Sequence, residues 1–181
     1  MVTTLRQTRS AREQAVWDAL ADVADPEIPA ISVVDLGVIR RVEFVDAPEE
    51  ERLRVELMPT FVGCPAIDVM QGAIRERLAE HAPAVDVVVT FDEPWTSERI
   101  TPEGRRRLRE SGFAPPAPPA VAAGLTLLEV LPSPSASLPV SQCPYCGSRD
   151  TSMENAFGPT LCRAIYYCRA CRQPFEQFKS V

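Results

Sequence analysis

Residues 52–91 read RLRVELMPTFVGCPAIDVMQGAIRERLAEHAPAVDVVVTF. The opening alternates Leu53, Val55 and Leu57 with Arg52, Arg54 and Glu56, the period of a strand with one covered face. Pro59 to Pro65 break the pattern and form a loop. Pro65 suits the first position of a helix, and Ile67, Met70, Ile74 and Leu78 then recur at helical spacing. His81 and Pro83 follow the last of these. His81 is the only histidine of the chain, which favours a capping or surface role over metal binding. Val85 to Phe91 is a dense β-branched run, the composition of a buried central strand. Strand, helix and strand in this order predict parallel pairing with a right-handed crossover.

Upstream, Val38 to Val45 places Val38, Val42 and Phe44 on a rough period of two, and Pro48 with Glu49 to Glu51 marks a turn. The two upstream strands are therefore expected to pair as an antiparallel hairpin. Residues 25–37, DPEIPAISVVDLG, cannot ladder regularly because of Pro26 and Pro29. Residues 10–24 predict a helix with Ser10 as N-cap, Glu13 completing a capping box, and Val16, Trp17, Leu20 and Val23 facing the core. Ile100 to Gly112 predicts a basic helix with Thr101 as N-cap, Pro102 at its first position and Gly112 as its stop.

The expected fold class is α/β (α+β): a small mixed three-stranded sheet with helices, followed by a small C-terminal zinc ribbon. Residues 1–113 form the α/β domain, 114–142 a linker and 143–181 the ribbon. The linker carries seven prolines and one charge, Glu129, the composition of an extended polyproline-type spacer. Leu125 to Leu131 is a short strand candidate within it.

Charge separates the halves. Residues 1–113 hold 14 Arg against 21 Asp and Glu, and the rest of the chain holds four Arg and one Lys against four acids. A net charge of −6 and a pI near 4.9 argue against a duplex-DNA partner. Met1 to Ser10 carries Arg6 and Arg9 with no apolar block. The best candidate for a membrane span, Gly112 to Leu128, holds four prolines. Neither a secretory signal nor a membrane span is expected, and the expected compartment is the cytoplasm.

Cysteine use points to metal. Cys143-Pro-Tyr-Cys146 and Cys168-Arg-Ala-Cys171 are two CxxC knuckles with 21 residues between them. Such knuckles aim four thiolates at one ion, and a closed S4 site has no position left for substrate. Structural zinc is the expected occupant, with iron in a rubredoxin-like site the alternative. A 39-residue module has too little core to fold without such a staple. Its Arg149, Arg163, Arg169, Arg172 and Lys179 intermingle with Phe157, Tyr166, Tyr167, Phe175 and Phe178, a mixture that serves nucleic acid or protein docking equally. Cys162 lies outside both knuckles and reads as a small buried hydrophobe or a reactive thiol.

Cys64 precedes Pro65 at an expected helix start, where free N–H groups and the helix dipole favour a thiolate. Thr60 lies four residues before it, and Asp25 and Glu27 are carboxylates placed to converge on the same end of the sheet. Cys64, Thr60, Asp25 and Glu27 are thus candidates for cluster handling, metal transfer or acyl chemistry. The competing reading makes Cys64 a capping residue of suitable size. No residue is assigned a catalytic role, since no base stands next to Cys64 in sequence.

The stretch DPEIPAISVVDLGVIRRVEF (25–44), followed by Thr60, Gly63-Cys64-Pro65 and an amphipathic helix, resembles the small domain of the SufT-related metal–sulfur cluster assembly proteins. That resemblance implies a helix, a hairpin, a second helix and a third strand, a role in iron–sulfur maturation, and Cys64 as the leading functional residue. MPTFVGCPA (58–66), EPWTSERITPEGRRRLRESGFAPP (93–116), CPYCGS (143–148) and ENAFGPTLCRAIYYCRACRQPFEQFK (154–179) together resemble the PaaD (PaaJ) family of subunits of phenylacetyl-CoA 1,2-epoxidase, the multicomponent oxygenase of aerobic phenylacetate degradation. This resemblance implies an accessory subunit whose partners are the other oxygenase subunits, especially the iron–sulfur reductase or the di-iron subunit. It implies maturation or insertion of an iron–sulfur or iron centre, with Fe or an Fe–S cluster held in transit. One histidine and no Glu-x-x-His motif agree with a non-oxygenase role. A structural adaptor between subunits, and a zinc-ribbon regulator that binds nucleic acid, are the alternatives.

Overall fold

The computed structural model describes residues 10–46, 50–116 and 140–179. The linker core, its candidate strand at Leu125–Leu131, and the Pro48–Glu49 part of the hairpin turn lie outside these residues. Two compact units divide between Trp95 and Thr96.

In the first unit, helix α1 (Ala11–Leu20) starts at the expected capping box. The Ser10 hydroxyl accepts from the Glu13 N–H, and the Glu13 carboxylate accepts from the Ser10 N–H at 2.8 Å. The helix ends at Leu20, four residues short of the expected end. Val16, Ala19 and Leu20 are buried, while Trp17 is only half-buried and not the core residue expected.

Strand β1 (Ile39–Val45) pairs antiparallel with β2 (Arg52–Leu57), and β2 pairs parallel with β3 (Ala84–Val89). Helix α2 (Ile67–Leu78) makes the crossover and buries Met70, Ile74 and Leu78. The hairpin, the parallel pairing and the helix face are as the periodicity predicts. The position of β3 is not. The order is β1-β2-β3, so β2 is central and β3 is an edge strand among the described residues, with only Val87 buried. Its apolar run reflects β propensity as much as burial. Glu56 also departs from the alternation: it is 8% exposed on the face expected to be solvated, because Arg40 covers it with an ion pair at 2.5 Å. The buried Trp95 closes this unit by donating from its indole N–H to the Leu36 carbonyl at 3.1 Å.

The second unit begins with helix α3 (Pro102–Glu110), capped by the Thr101 hydroxyl, which accepts from the Gly104 N–H at 2.9 Å. Gly112 ends the helix at φ +85°. A side chain there would also meet the Tyr145 hydroxyl at 2.9 Å. Strand β4 (Phe113–Ala114) pairs parallel with β7 (Pro174–Phe178). β6 (Arg163–Cys168) pairs antiparallel with β7 and with β5 (Thr151–Asn155), so the sheet order is β4-β7-β6-β5. Residues 96–116 therefore pack with the ribbon, whereas the expected first domain runs to residue 113. A two-residue strand with no sequence signature makes that pairing, so periodicity has nothing to detect. The core here is Ala114, Cys143, Ala164, Tyr166, Cys168 and Phe175, with Tyr166 stacked on Phe175 at 5.6 Å.

Ile74 is fully buried in the crossover helix. Ile74→Ala is expected to cost about 2–5 kcal/mol, read as a shift of the denaturant midpoint of the whole chain. An effect below about 1 kcal/mol would contradict the packing of α2 on the sheet.

Candidate metal centre and the Cys64 loop

The thiols of Cys143, Cys146, Cys168 and Cys171 all lie within 4.8 Å of one another. The sulfurs of Cys143 and Cys171 are 3.7 Å apart, and those of Cys146 and Cys168 are 3.6 Å apart. Four sulfurs held at about 2.3 Å from one tetrahedral ion stand roughly 3.8 Å apart, so the donor set fits a single S4 metal. Among the described residues it is the only group of three or more possible ligands gathered this closely.

Backbone geometry builds both corners the same way. The Cys143 N–H donates to the Ser148 carbonyl at 2.9 Å, and the Cys168 N–H donates to the Gln173 carbonyl at 3.0 Å. In each knuckle the residue after the second cysteine takes a left-handed conformation, Gly147 at φ +74° and Arg172 at φ 60°. Glycine adopts this without penalty, whereas an arginine is held there at a cost of about 1–2 kcal/mol. The pattern CPYCG announces such a turn, and CRACR does not.

Local hydrogen bonding differentiates the thiols. The Cys171 N–H donates to the Cys168 sulfur and holds that thiol down to about 7, while burial pushes the Cys171 thiol up to about 12. Ligation requires thiolates, so protons compete with the metal and affinity falls as pH falls. The ribbon is built on three antiparallel strands, β5-β6-β7. The Cys143–Cys146 knuckle precedes this sheet in a turn.

The ribbon aromatics divide between core and surface, with Tyr145 and Phe157 exposed. Tyr166, Phe175 and Phe178 are buried. Arg163 pairs with Glu176 at 2.9 Å, and Arg169 pairs with Asp150 at 2.8 Å. A stacking platform for nucleic-acid bases needs exposed rings, which these three do not supply. Cys162 is buried with its sulfur 3.1 Å from the Thr160 hydroxyl.

Cys64 sits half-buried on the loop between β2 and α2. Gly63 before it has φ +79°, and Val62 is 79% exposed. The Cys64 N–H donates to the Phe61 carbonyl at 3.2 Å, and its carbonyl accepts from the Ile67 N–H at 3.4 Å. The helix starts at Ile67 with Ala66 as a cap that makes no side-chain bond, so Pro65 lies in the preceding turn and Cys64 stands before the cap. Thr60 is half-buried near the start of the same loop. The loop leaves the carboxyl end of β2, the end of a parallel pair where open sheets commonly carry their sites. The segment entering β1 reaches the same end, because the Met58 N–H donates to the Val38 carbonyl at 2.8 Å. Asp25, farther back along that segment, is buried, and its Oδ1 accepts from the N–H groups of Glu27 and Ile28 at 2.9 and 2.8 Å. Among the described residues, Asp25 and Glu27 do not form a second ligand group with Cys64. His81 follows α2, its N–H donating to the Leu78 carbonyl at 2.9 Å.

Residues 132–179 match the PaaD zinc beta ribbon domain, and residues 13–91 match the iron–sulfur cluster assembly protein family. A curated relative from Escherichia coli strain K12, the D-type subunit of a "Putative 1,2-phenylacetyl-CoA epoxidase", is 38% identical over 92% of this chain and 92% of its own. A Bacillus anthracis domain of unknown function, DUF59, is 25% identical with a TM-score of 0.47, covering 54% of this chain and 92% of that one. A conserved hypothetical protein of Thermotoga maritima is 28% identical with a TM-score of 0.45, covering 56% of this chain and 97% of that one.

Substitutions at two positions test these local geometries. Arg172→Gly relieves the left-handed strain and is expected to raise the stability of the metal-loaded chain by about 0.5–1 kcal/mol, measured by thermal unfolding. A loss of stability would mean that the Arg172 side chain matters more than its backbone. Asp25→Asn retains an oxygen for the two N–H groups and is expected to be tolerated, whereas Asp25→Ala costs about 1–3 kcal/mol. Equal losses in the two variants would show that the charge of Asp25, and not its capping oxygen, is what the fold uses.

Proposed function

The chain belongs to the PaaD family of 1,2-phenylacetyl-CoA epoxidase subunits, and from that premise we propose that it serves aerobic phenylacetate degradation as an accessory subunit that matures or inserts an iron–sulfur or iron centre in the oxygenase. Its partners are the other subunits of that complex, foremost the iron–sulfur reductase or the di-iron subunit. Cys64 is the transfer residue. Thr60, Asp25 and Glu27 shape its surroundings, with Asp25 holding the turn that presents Glu27.

One observation carries the reading. The unit that matches the cluster-assembly family has Cys64 as its single cysteine, and this cysteine is half-buried on a loop at the carboxyl end of a parallel strand pair. A thiol in transit must bind cargo and also release it, which an accessible single ligand permits and a closed S4 site does not. The second unit supplies that closed site. Zinc bound by Cys143, Cys146, Cys168 and Cys171 gives the ribbon its stability and leaves no coordination position for chemistry. The division of labour is a permanent ion in the ribbon and a passing one at the loop.

The test is metal and acid-labile sulfide analysis of chain purified anaerobically, wild type beside Cys64→Ser. One zinc per chain in both, with iron and sulfide in the wild type alone, is the expected result. Iron retained in Cys64→Ser would remove Cys64 from the role. Zinc alone in both, together with full activity of an oxygenase assembled with Cys64→Ser, would favour a structural adaptor in its place.

A further inference from the structure

A cavity of about 560 Å³ in the second unit is not used by either cysteine site. Arg105 and Arg109 of α3 line it, with Arg149 beside the first metal knuckle, Gln142 and Gln177. Pro115, Pro116 and Val140 supply an apolar wall, and Glu98 is its only acidic lining residue among the described residues. Three guanidinium groups facing one carboxylate leave the cavity with an excess of positive charge.

Its cations are unevenly committed. The Arg105 guanidinium donates to the carbonyls of Ser97 at 2.6 Å and Pro116 at 2.9 Å, which fixes it in the wall. Burial works against its charge, with the nearby Glu98 opposing that effect. Arg109 and Arg149 are exposed and make no ion pair among the described residues. On the same helix as Arg109, Arg106 and Arg107 are tied to Glu103. Ser141, which also lines the cavity, is 3% exposed. Its hydroxyl is the one buried side-chain polar atom among the described residues with no hydrogen-bond partner. The Thr151 hydroxyl holds Ser141 in place by donating to its carbonyl at 2.6 Å.

We propose that this cavity binds the diphosphate of a nucleotide-sized ligand. Arg109 and Arg149 would clamp the phosphate oxygens from two sides, as guanidinium groups do through paired N–H donors. Arg105 adds charge from the wall without leaving its carbonyls. The volume falls in the range of small-molecule sites and far exceeds an inorganic anion, and the proline and valine wall suits a planar base. Free adenosine diphosphate and the adenosine diphosphate portion of coenzyme A share this chemistry. The proposal is independent of the role of Cys64.

Isothermal titration of the metal-loaded full chain is run with adenosine diphosphate, coenzyme A and inorganic pyrophosphate at low and moderate salt. Adenosine diphosphate is expected to bind, more tightly than pyrophosphate and with affinity falling as salt rises. Coenzyme A binding more tightly still identifies the thioester carrier as the source. Coenzyme A binding more weakly identifies a free nucleotide. Arg109→Gln and Arg149→Gln, both at exposed positions, are each expected to weaken binding by about tenfold. Arg52→Gln/Arg54→Gln, which removes two charges from the first unit, is expected to leave binding unchanged. The proposal is overturned if no probe binds at millimolar concentration, if pyrophosphate binds as well as adenosine diphosphate, or if the Arg52/Arg54 control loses as much affinity as the cavity variants.

Discussion

The first unit depends on β2 being hydrogen-bonded on both sides, antiparallel to β1 and parallel to β3. A hairpin alone is marginal in water, and a parallel partner requires a crossover long enough to return the chain to the same end. α2 is that crossover. Its burial of Met70, Ile74 and Leu78 makes the parallel pairing stable. The Cys64 loop is a product of this constraint, since it is the chain between the carboxyl end of β2 and the first turn of α2. A residue placed there is held by a rigid scaffold at its back and open to a partner in front.

The second unit obeys a different constraint. Its aromatic core is small, and two of the six residues of its core cluster, Cys143 and Cys168, are themselves ligands. A metal held by these thiols would therefore couple its binding to formation of the core. The knuckles repeat one backbone solution, an i to i+5 bond and a left-handed residue after the second cysteine. The second knuckle tolerates an arginine in that place because ligation over-determines the turn.

Apart from the buried Cys162, two kinds of cysteine environment coexist in the chain. Four thiols converge on a point and are closed to anything but their ion. One thiol stands half-covered in a loop with an exposed valine beside it. The contrast is one of geometry: four thiols gathered within 4.8 Å of one another against a single thiol outside any such group among the described residues.

Much of this is legible in the residues. The capping box at Ser10 and Glu13, the alternation of β2, the stripe on α2 and the Thr101–Pro102 helix start are local patterns. Propensity, capping and short-range packing decide them, and all four appear in the structure, the alternation of β2 failing only at Glu56. The CxxC pairs are legible for the same reason, because their spacing alone dictates a metal turn. The rest requires three dimensions. Apolar composition does not distinguish an edge strand from a central one, so the place of β3 emerges only from the order of pairing. Glu56 is buried because Arg40, sixteen residues away, covers it. β4 is two residues long, too short for any period, and exists only through β7. The residues lining the cavity come from a helix, a knuckle and a strand far apart in sequence. Local chemistry determined the elements and the metal, while long-range packing decided which strand is central, which charges are covered and where a cavity opens.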